Sequence, residues 1–90
     1  MKLTVVYSSN LTRQFGIKEQ EITFEAPSVS IDCLLDELCR LNGMQFANKL
    51  YRLDGKKLAY ILYVNGRISQ TDVTLIDGDR IGFFNLVTGG

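Results

Sequence analysis

Ninety residues can bury one hydrophobic core but not two, so the chain is predicted to fold as a single domain. Hydrophobic residues make up 46% of it and charged residues 22%, a composition that is typical of a folded domain and argues against disorder. Ten basic and ten acidic side chains cancel, which leaves no uniform positive field to attract nucleic acid or an anionic membrane. A protein or small-molecule partner is therefore expected.

The cysteines and the absence of histidine restrict the chemistry that the chain can perform by itself. Cys33 and Cys39 lie in one predicted helix, about 9 Å apart along its axis, which is beyond disulfide reach. Both thiols are expected to be small buried hydrophobes, and two thiols without a histidine do not make a typical zinc site. The usual general base near neutral pH is also missing. We therefore expect a protein that is no enzyme by itself and holds no metal or cofactor stably.

The start of the chain indicates its compartment. Met1-Lys2 leads directly into a strand-like pattern, without the apolar stretch of a signal peptide. Thiols that are not bridged suit a reducing environment. The expected location is the cytoplasm.

Alternating residues near the start predict a β-hairpin. The first strand covers residues 2–7, and residues 8–18 are predicted as a turn region in which Gly16 marks the reversal. The second strand covers residues 20–26 and ends at Pro27. The residues expected to point inward are Leu3, Val5 and Tyr7 in the first strand and Ile22, Phe24 and Ala26 in the second.

A helix is predicted next. Ser30 is a suitable N-cap, with Val29 and Leu34 as a hydrophobic staple around it and Asp32 near the positive end of the helix dipole. Helical spacing predicts a buried stripe of Ile31, Leu34, Leu35, Leu38 and Leu41.

The end of this helix is predicted from its polar residues. Asp36 and Arg40 have the spacing of an ion pair, and Asn42-Gly43 provides a left-handed stop.

The second half of the chain reads as three further strands. Residues 44–57 are expected to wrap the edge of the domain irregularly, with a turn at Asp54-Gly55. The apolar run 58–64 predicts a strand, and Asn65-Gly66 is a strong hairpin signal that leads into a returning strand at Arg67-Ile68. Val73, Leu75 and Ile76 then lead to a tight turn at Asp77-Gly78-Asp79, which is followed by the last strand at residues 80–85.

This order of elements predicts an α+β fold of the β-grasp (ubiquitin-like) type. It has a mixed sheet of four to five strands, with one main helix packed on one face. A right-handed crossover places the last strand parallel to the first at the centre of the sheet. The domain would cover residues 1–86, and residues 87–90 would form a flexible tail.

Gly89 and Gly90 at the end of the sequence have no side chains, so that only the backbone has to fit a narrow tunnel in a partner enzyme. Two glycines would end about 0.5% of chains by chance. The pair therefore gains meaning only from the domain that precedes it.

Four segments of the sequence are distinctive together: Tyr63-Val64-Asn65-Gly66, Leu75-Ile76-Asp77-Gly78-Asp79, Phe83-Phe84 and Val87-Thr88-Gly89-Gly90. They resemble the ubiquitin-like sulfur carriers, and most closely the small subunit of molybdopterin synthase (MoaD-like; related to ThiS). Asn85-Leu86 departs from this branch, which often has two prolines there.

The resemblance implies a carrier for molybdopterin (molybdenum or tungsten cofactor) biosynthesis. An adenylating enzyme of the E1-like, MoeB/ThiF type would use ATP to activate the Gly90 carboxylate, next to Gly89, for conversion to a thiocarboxylate. The large subunit of the synthase (MoaE-like) would then receive the tail. Partner-binding residues would be Phe84, Leu86, Val87 and Thr88.

Alternatives remain open for the function. They are a protein modifier joined through Gly90 to lysines, a sulfur carrier for tRNA thiolation, and an interaction domain whose tail is never activated.

Strand parity places Phe84 apart from its neighbours, because Ile81 and Phe83 share one face of the last strand and Phe84 lies on the other. We expect Ile81 and Phe83 to face the helix and Phe84 to be exposed as an aromatic anchor. The alternative is that Phe84 packs under residues 44–57 or on a side chain of the neighbouring strand.

Other charged residues are more simply explained as solvated groups. They are Arg67, Arg80 and the basic stretch of Lys49, Arg52, Lys56 and Lys57. The two carboxylates of Asp77-Gly78-Asp79 are turn chemistry and lack the further ligands that calcium needs.

Overall fold

The computed structural model describes residues 1–51, 58, 60–70 and 72–85. Its elements are β1 (Lys2–Val6), α1 (Ser9–Phe15), β2 (Glu19–Thr23), β3 (Ser28–Ser30), α2 (Ile31–Asn42), α3 (Met44–Leu50), β4 (Tyr60–Val64), β5 (Arg67–Ile68), β6 (Thr74–Ile76) and β7 (Arg80–Asn85).

Five strands form the main sheet, in the order β2-β1-β7-β4-β5. β7 lies parallel to β1, with Val6 opposite Gly82, and antiparallel to β4, with Ile61 opposite Phe84. The predicted parallel pairing of the first and last strands is thereby confirmed. The mixed sheet and the helix α2 on its inner face make the β-grasp fold that the order of elements predicted.

The core lies between the sheet and the helices. β1 contributes Leu3 and Val5, and β7 contributes Ile81 and Phe83, all four fully buried. The helix α2 covers them with a buried stripe of Ile31, Leu34, Leu35 and Leu38. Burial of such side chains is the main favourable term for a domain of this size.

The predicted start of α2 is confirmed, and its end differs. The Ser30 Oγ accepts a hydrogen bond from the Cys33 N–H at 3.1 Å. Leu41, predicted to be buried, is 47% exposed because it lies in the last turn. Gly43 ends the helix with a φ of 94° but a ψ of 176°, so its conformation is not the predicted left-handed one.

The polar contacts of α2 also differ from the prediction. Arg40 donates two hydrogen bonds to the Glu37 carboxylate, at 2.6 and 3.0 Å, where a pair with Asp36 was expected. This pair also lies one turn apart, and its geometry is bidentate. Cys33 is exposed and not buried as predicted, whereas Cys39 is partly buried.

Two short helices replace segments that were predicted as irregular. The helix α1 lies within the predicted turn region; Ser8 caps its start and Gly16, with a φ of 72°, ends it. The helix α3 lies within the segment predicted to wrap the edge, where Phe46 and Leu50 are buried. Each helix has seven residues, too few for a periodic pattern to stand out in the sequence. The predicted turn at Asp54-Gly55 lies outside the described residues.

The second strand is shorter than predicted. β2 ends at Thr23, Phe24 is only partly buried and Ala26 is exposed, so the inward position predicted for Ala26 is wrong. The chain leaves the main sheet here because β3 pairs with β6 in a separate two-stranded sheet. That pairing joins distant segments, and no local pattern indicates it.

Two tight turns hold the ends of the central strands together. Asn65 and Gly66 both have positive φ, at 51° and 84°, as the Asn-Gly hairpin signal predicted. The Asn65 Nδ2 donates to Asp79 Oδ1, and the Arg80 N–H donates to Asn65 Oδ1, both at 2.9 Å. The Asn65 side chain therefore links the β4-β5 turn to the start of β7.

Candidate functional site: the outer face of the sheet

The site begins with the two adjacent phenylalanines of β7. Successive side chains of a strand point to opposite faces, and the structure places Phe83 in the core and Phe84 on the outer face. Phe83 is fully buried and stacks on Tyr7, whereas Phe84 is 47% exposed. The predicted parity of the strand is thus observed, and the role of Phe84 in partner binding stays a prediction.

Phe84 does not stand alone. Its ring meets the ring of Tyr63 edge-on, with centroids 4.8 Å apart and an interplanar angle of 81°. Such a contact contributes about 0.5 to 1.5 kcal/mol beyond area burial in other proteins. Both predicted environments of Phe84 are therefore found. One side of its ring packs on Tyr63 of the neighbouring strand, and another side is open to solvent.

Residues of the adjacent strands extend this surface. Ile61 of β4 lies directly opposite Phe84, and Ile68 of β5 lies directly opposite Tyr63. Each residue therefore shares the outer face with its partner. Ile68 is 70% exposed. We define the apolar patch as Val6, Ile61, Tyr63, Ile68 and Phe84.

The other half of the outer face is charged. Arg80 lies 3.0 Å from Glu19 on β2, and Lys2 lies 3.7 Å from Glu21. Both pairs are exposed, so each adds little stability. Arg80 is consequently a paired charge beside the apolar patch, and Arg67 is exposed, as its solvated interpretation predicted.

The titratable groups around the inner face favour uncharged forms. Burial raises the pKa of Tyr7 to about 12, and its hydroxyl donates to Gln20 Oε1 at 2.6 Å. Burial also raises the pKa of the Cys39 thiol, with a further contribution from the charge of Asp36. Neither group is an activated nucleophile at neutral pH.

The remaining predicted site residues are Leu86, Val87, Thr88, Gly89 and Gly90, and they lie outside the described residues. β7 ends at Asn85, so these residues directly follow the strand that carries Phe84. Among the described residues, no three potential metal ligands lie together, and no helix is long and apolar enough to span a membrane.

Sequence reasoning did not identify Ile61, Tyr63, Ile68 and Gly82 as neighbours of Phe84. The proximity of Ile61 and Tyr63 to Phe84 depends on the register of β4 against β7, which pairs residues 17 to 25 positions apart in the chain. The available signal was the nearly unbroken apolar run of β4, because a strand with one face in water would alternate apolar and polar residues.

No protein-family model and no curated protein matches the sequence. Among solved structures, the small archaeal modifier protein SAMP1 from Haloferax volcanii aligns over 100% of both chains, with a TM-score of 0.84 and 16% identity. A putative molybdopterin converting factor subunit 1 from Pyrococcus furiosus covers 97% of this chain and 99% of its own, with a TM-score of 0.75 and 26% identity.

A third structure is a complex of subunits 1 and 2 of molybdopterin-converting factor from Helicobacter pylori. The alignment covers 100% of this chain and 100% of the matched chain of the complex, with a TM-score of 0.63 and 18% identity. The likeness in each case covers nearly the whole domain. The protein therefore has the β-grasp fold, and the structures similar to it include a small archaeal modifier protein and subunits of molybdopterin-converting factors, in agreement with the resemblance in its sequence.

Proposed function

We propose that the protein is a sulfur carrier that works through the carboxylate of Gly90 in the synthesis of a molybdenum or tungsten cofactor. The observation that carries the proposal is the exposed ring of Phe84, which rests on the half-buried Tyr63 and lies six positions before Gly90. The patch would dock on an enzyme, and the following residues would enter its active site. The Pyrococcus furiosus neighbour, at 26% identity over nearly the full length, supports this assignment.

The proposed chemistry starts from a poor electrophile. An adenylating enzyme joins the Gly90 carboxylate to the AMP part of ATP and releases pyrophosphate, so that AMP becomes the leaving group. Sulfide, or a persulfide donor with a reductant, then displaces AMP and leaves a thiocarboxylate. The thiocarboxylate sulfur then displaces a leaving group from an acceptor, which joins the carrier to the acceptor through a thioester. Water hydrolyses the bond between the Gly90 carbonyl and the sulfur, so that the sulfur stays on the acceptor and the Gly90 carboxylate is restored.

The proposed docking uses the apolar patch. Aromatic side chains are enriched among residues that dominate binding energy, and Phe84 has an exposed surface held in place by Tyr63. The neighbour in the Helicobacter pylori complex is bound to subunit 2 of the same factor, which supports a large synthase subunit as a partner here. ATP and the acid-base groups would come from the partner enzymes.

A second candidate function shares the activation step. The Haloferax volcanii neighbour is named as a protein modifier, which favours a protein whose activated Gly90 is attacked by a lysine amine. AMP again leaves, and an isopeptide bond forms. A carrier for tRNA thiolation would use the thiocarboxylate with a different acceptor.

The test is activation of the full chain. The protein is incubated with the adenylating enzyme of its own cells, ATP and sulfide, and its intact mass is measured. We expect the mass increase that replaces one oxygen by one sulfur, located at Gly90 by fragmentation. Adding lysine-rich proteins without sulfide tests the modifier, whose product is an isopeptide conjugate.

Deletion of Gly90 is the matched control. It should abolish both the adenylate and the thiocarboxylate while leaving thermal unfolding unchanged. Adenylation that persists after the deletion, or an unmodified parent in the presence of a demonstrably active enzyme, would contradict the proposal.

A further inference from the structure

Gly82 differs from the other glycines that the structure describes. Gly16, Gly43, Gly66 and Gly78 all have positive φ, and a Cβ built on any of them would meet nothing within 4 Å. Their backbone conformation explains why glycine is there. Gly82 has no positive φ, so its strand backbone suits any residue. Another cause must explain this glycine.

The cause is the ring of Phe84. A Cβ on Gly82 would lie 2.8 Å from Phe84 Cε2 and 3.5 Å from Phe84 Cζ. These atoms belong to the same outer face, because residues two apart on a strand point the same way. The ring is therefore folded back along β7 over the bare backbone of Gly82.

The same position governs the contact with Tyr63. Gly82 is the direct cross-strand partner of Tyr63 in the β4-β7 ladder. With no side chain at this point, the rings of Tyr63 and Phe84 approach each other across the vacant space, to a centroid distance of 4.8 Å. Aromatic side chains are known to cover strand glycines in this way.

We propose that Gly82 is a positioning residue for Phe84: its missing side chain holds the Phe84 ring over the strand and edge-on to Tyr63, and so presents the docking surface in one conformation. The link to docking rests on the function proposed above. A preorganised aromatic loses less conformational freedom when it binds than a ring that moves freely in solvent.

The test begins with the free protein and needs no partner. In the parent, NMR should show Gly82 Hα signals displaced by the ring current of Phe84, with nuclear Overhauser contacts from Phe84 to both Gly82 and Tyr63. In Gly82→Ala the contacts between the two rings should disappear. The midpoint of thermal unfolding should change little, because the loss of the ring contact is offset by the smaller conformational entropy of alanine in the unfolded chain. Ring contacts that persist in Gly82→Ala would overturn the inference.

Binding provides the second measurement. With the large synthase subunit of the same cells as the probe, Gly82→Ala should weaken affinity about tenfold. In a Phe84→Ala background the same substitution should change affinity by less than twofold, because there is no ring left to position. Ile76→Ala, an exposed apolar residue of the small sheet, is the matched control and should leave affinity unchanged.

The two proposals fail differently. If the parent does not bind the large synthase subunit, the proposed partner is wrong, and the NMR contacts still decide whether Gly82 positions the ring of Phe84. A parent that binds and a Gly82→Ala variant that loses its ring contacts but keeps full affinity overturn the positioning role and leave the proposed function standing.

Discussion

Phe83 and Phe84 are adjacent in the sequence and occupy opposite environments in the structure. Phe83 belongs to the inner face of the sheet, where it is fully buried together with Ile81, whereas Phe84 belongs to an outer face that is half apolar and half charged. The inner face holds the hydrophobic core, and the outer face presents apolar and charged side chains to solvent. Stability and partner binding are therefore expected to respond to different substitutions.

The largest effect that separates the two faces is expected at Phe83. Phe83→Ala removes a fully buried ring that stacks on Tyr7, and the cavity should cost about 3 to 5 kcal/mol of unfolding free energy. A domain with a total stability of about 5 to 15 kcal/mol would lose a large part of it. Urea denaturation measures the loss, with Phe84→Ala as the control at the adjacent position.

If Phe83→Ala proves as stable as the parent and Phe84→Ala does not, the inner and outer faces are reversed. Leu38→Ala in α2 provides a second check on the same face, with an expected loss of about 2 to 5 kcal/mol.

The inner face should also make the protein sensitive to alkali. The pKa of Tyr7 is raised from 10.0 to about 12 in the folded state, so between these values the unfolded chain loses a proton that the folded one retains. The contribution of Tyr7 to the unfolding free energy is therefore complete below pH 10. It is lost as the pH rises to 12, which lowers the unfolding free energy by about 2 to 3 kcal/mol.

Denaturation of the parent and of Tyr7→Phe across this range checks the prediction. Tyr7→Phe should be less stable at neutral pH, because the bond to Gln20 is lost, but its stability should fall less steeply above pH 10. Equal slopes in the two proteins would refute the role of Tyr7.

Substitutions on the outer face are expected to change the affinity for a partner more than the stability of the domain. Phe84→Ala is expected to weaken binding to the synthase-like or adenylating partner by about 2 kcal/mol. Its unfolding free energy should change by less than about 1.5 kcal/mol, since the main loss there is the contact with Tyr63. Titration calorimetry and thermal unfolding on one preparation measure both. A large stability loss with intact affinity would mean that the ring is structural.

The smallest effect is expected in the charged half. Glu19→Gln breaks the exposed pair with Arg80 and should change stability by about 0.2 to 1 kcal/mol, less in high salt. Denaturation at low and high ionic strength measures it. An affinity loss larger than that of Phe84→Ala would move the docking surface from the apolar patch to the charged half.

Local signals in the sequence were sufficient wherever one short segment determines the structure. Ser30 caps its own helix, and Asn65-Gly66 makes its turn with residues that tolerate positive φ. The parity of β7 follows from the period of two along a strand, so Phe83 and Phe84 could be assigned to opposite faces without coordinates. Helices of seven residues escaped detection because two turns do not establish a period.

The sequence by itself thus determined the order of the main elements, the tight turns and the orientation of β7, because each depends on residues close together in the chain. Hairpin signals and the crossover rule also predicted the two hairpins and the parallel pairing of the first and last strands. Only the tertiary structure decided that β7 pairs with β4, that β3 pairs with β6, and in which register the strands lie. That register brings Tyr63 to Gly82 and Ile61 to Phe84 across the β4-β7 ladder. The space above Gly82 and the ring that fills it are consequences of folding, since they require atoms from two strands to meet at one point on the sheet.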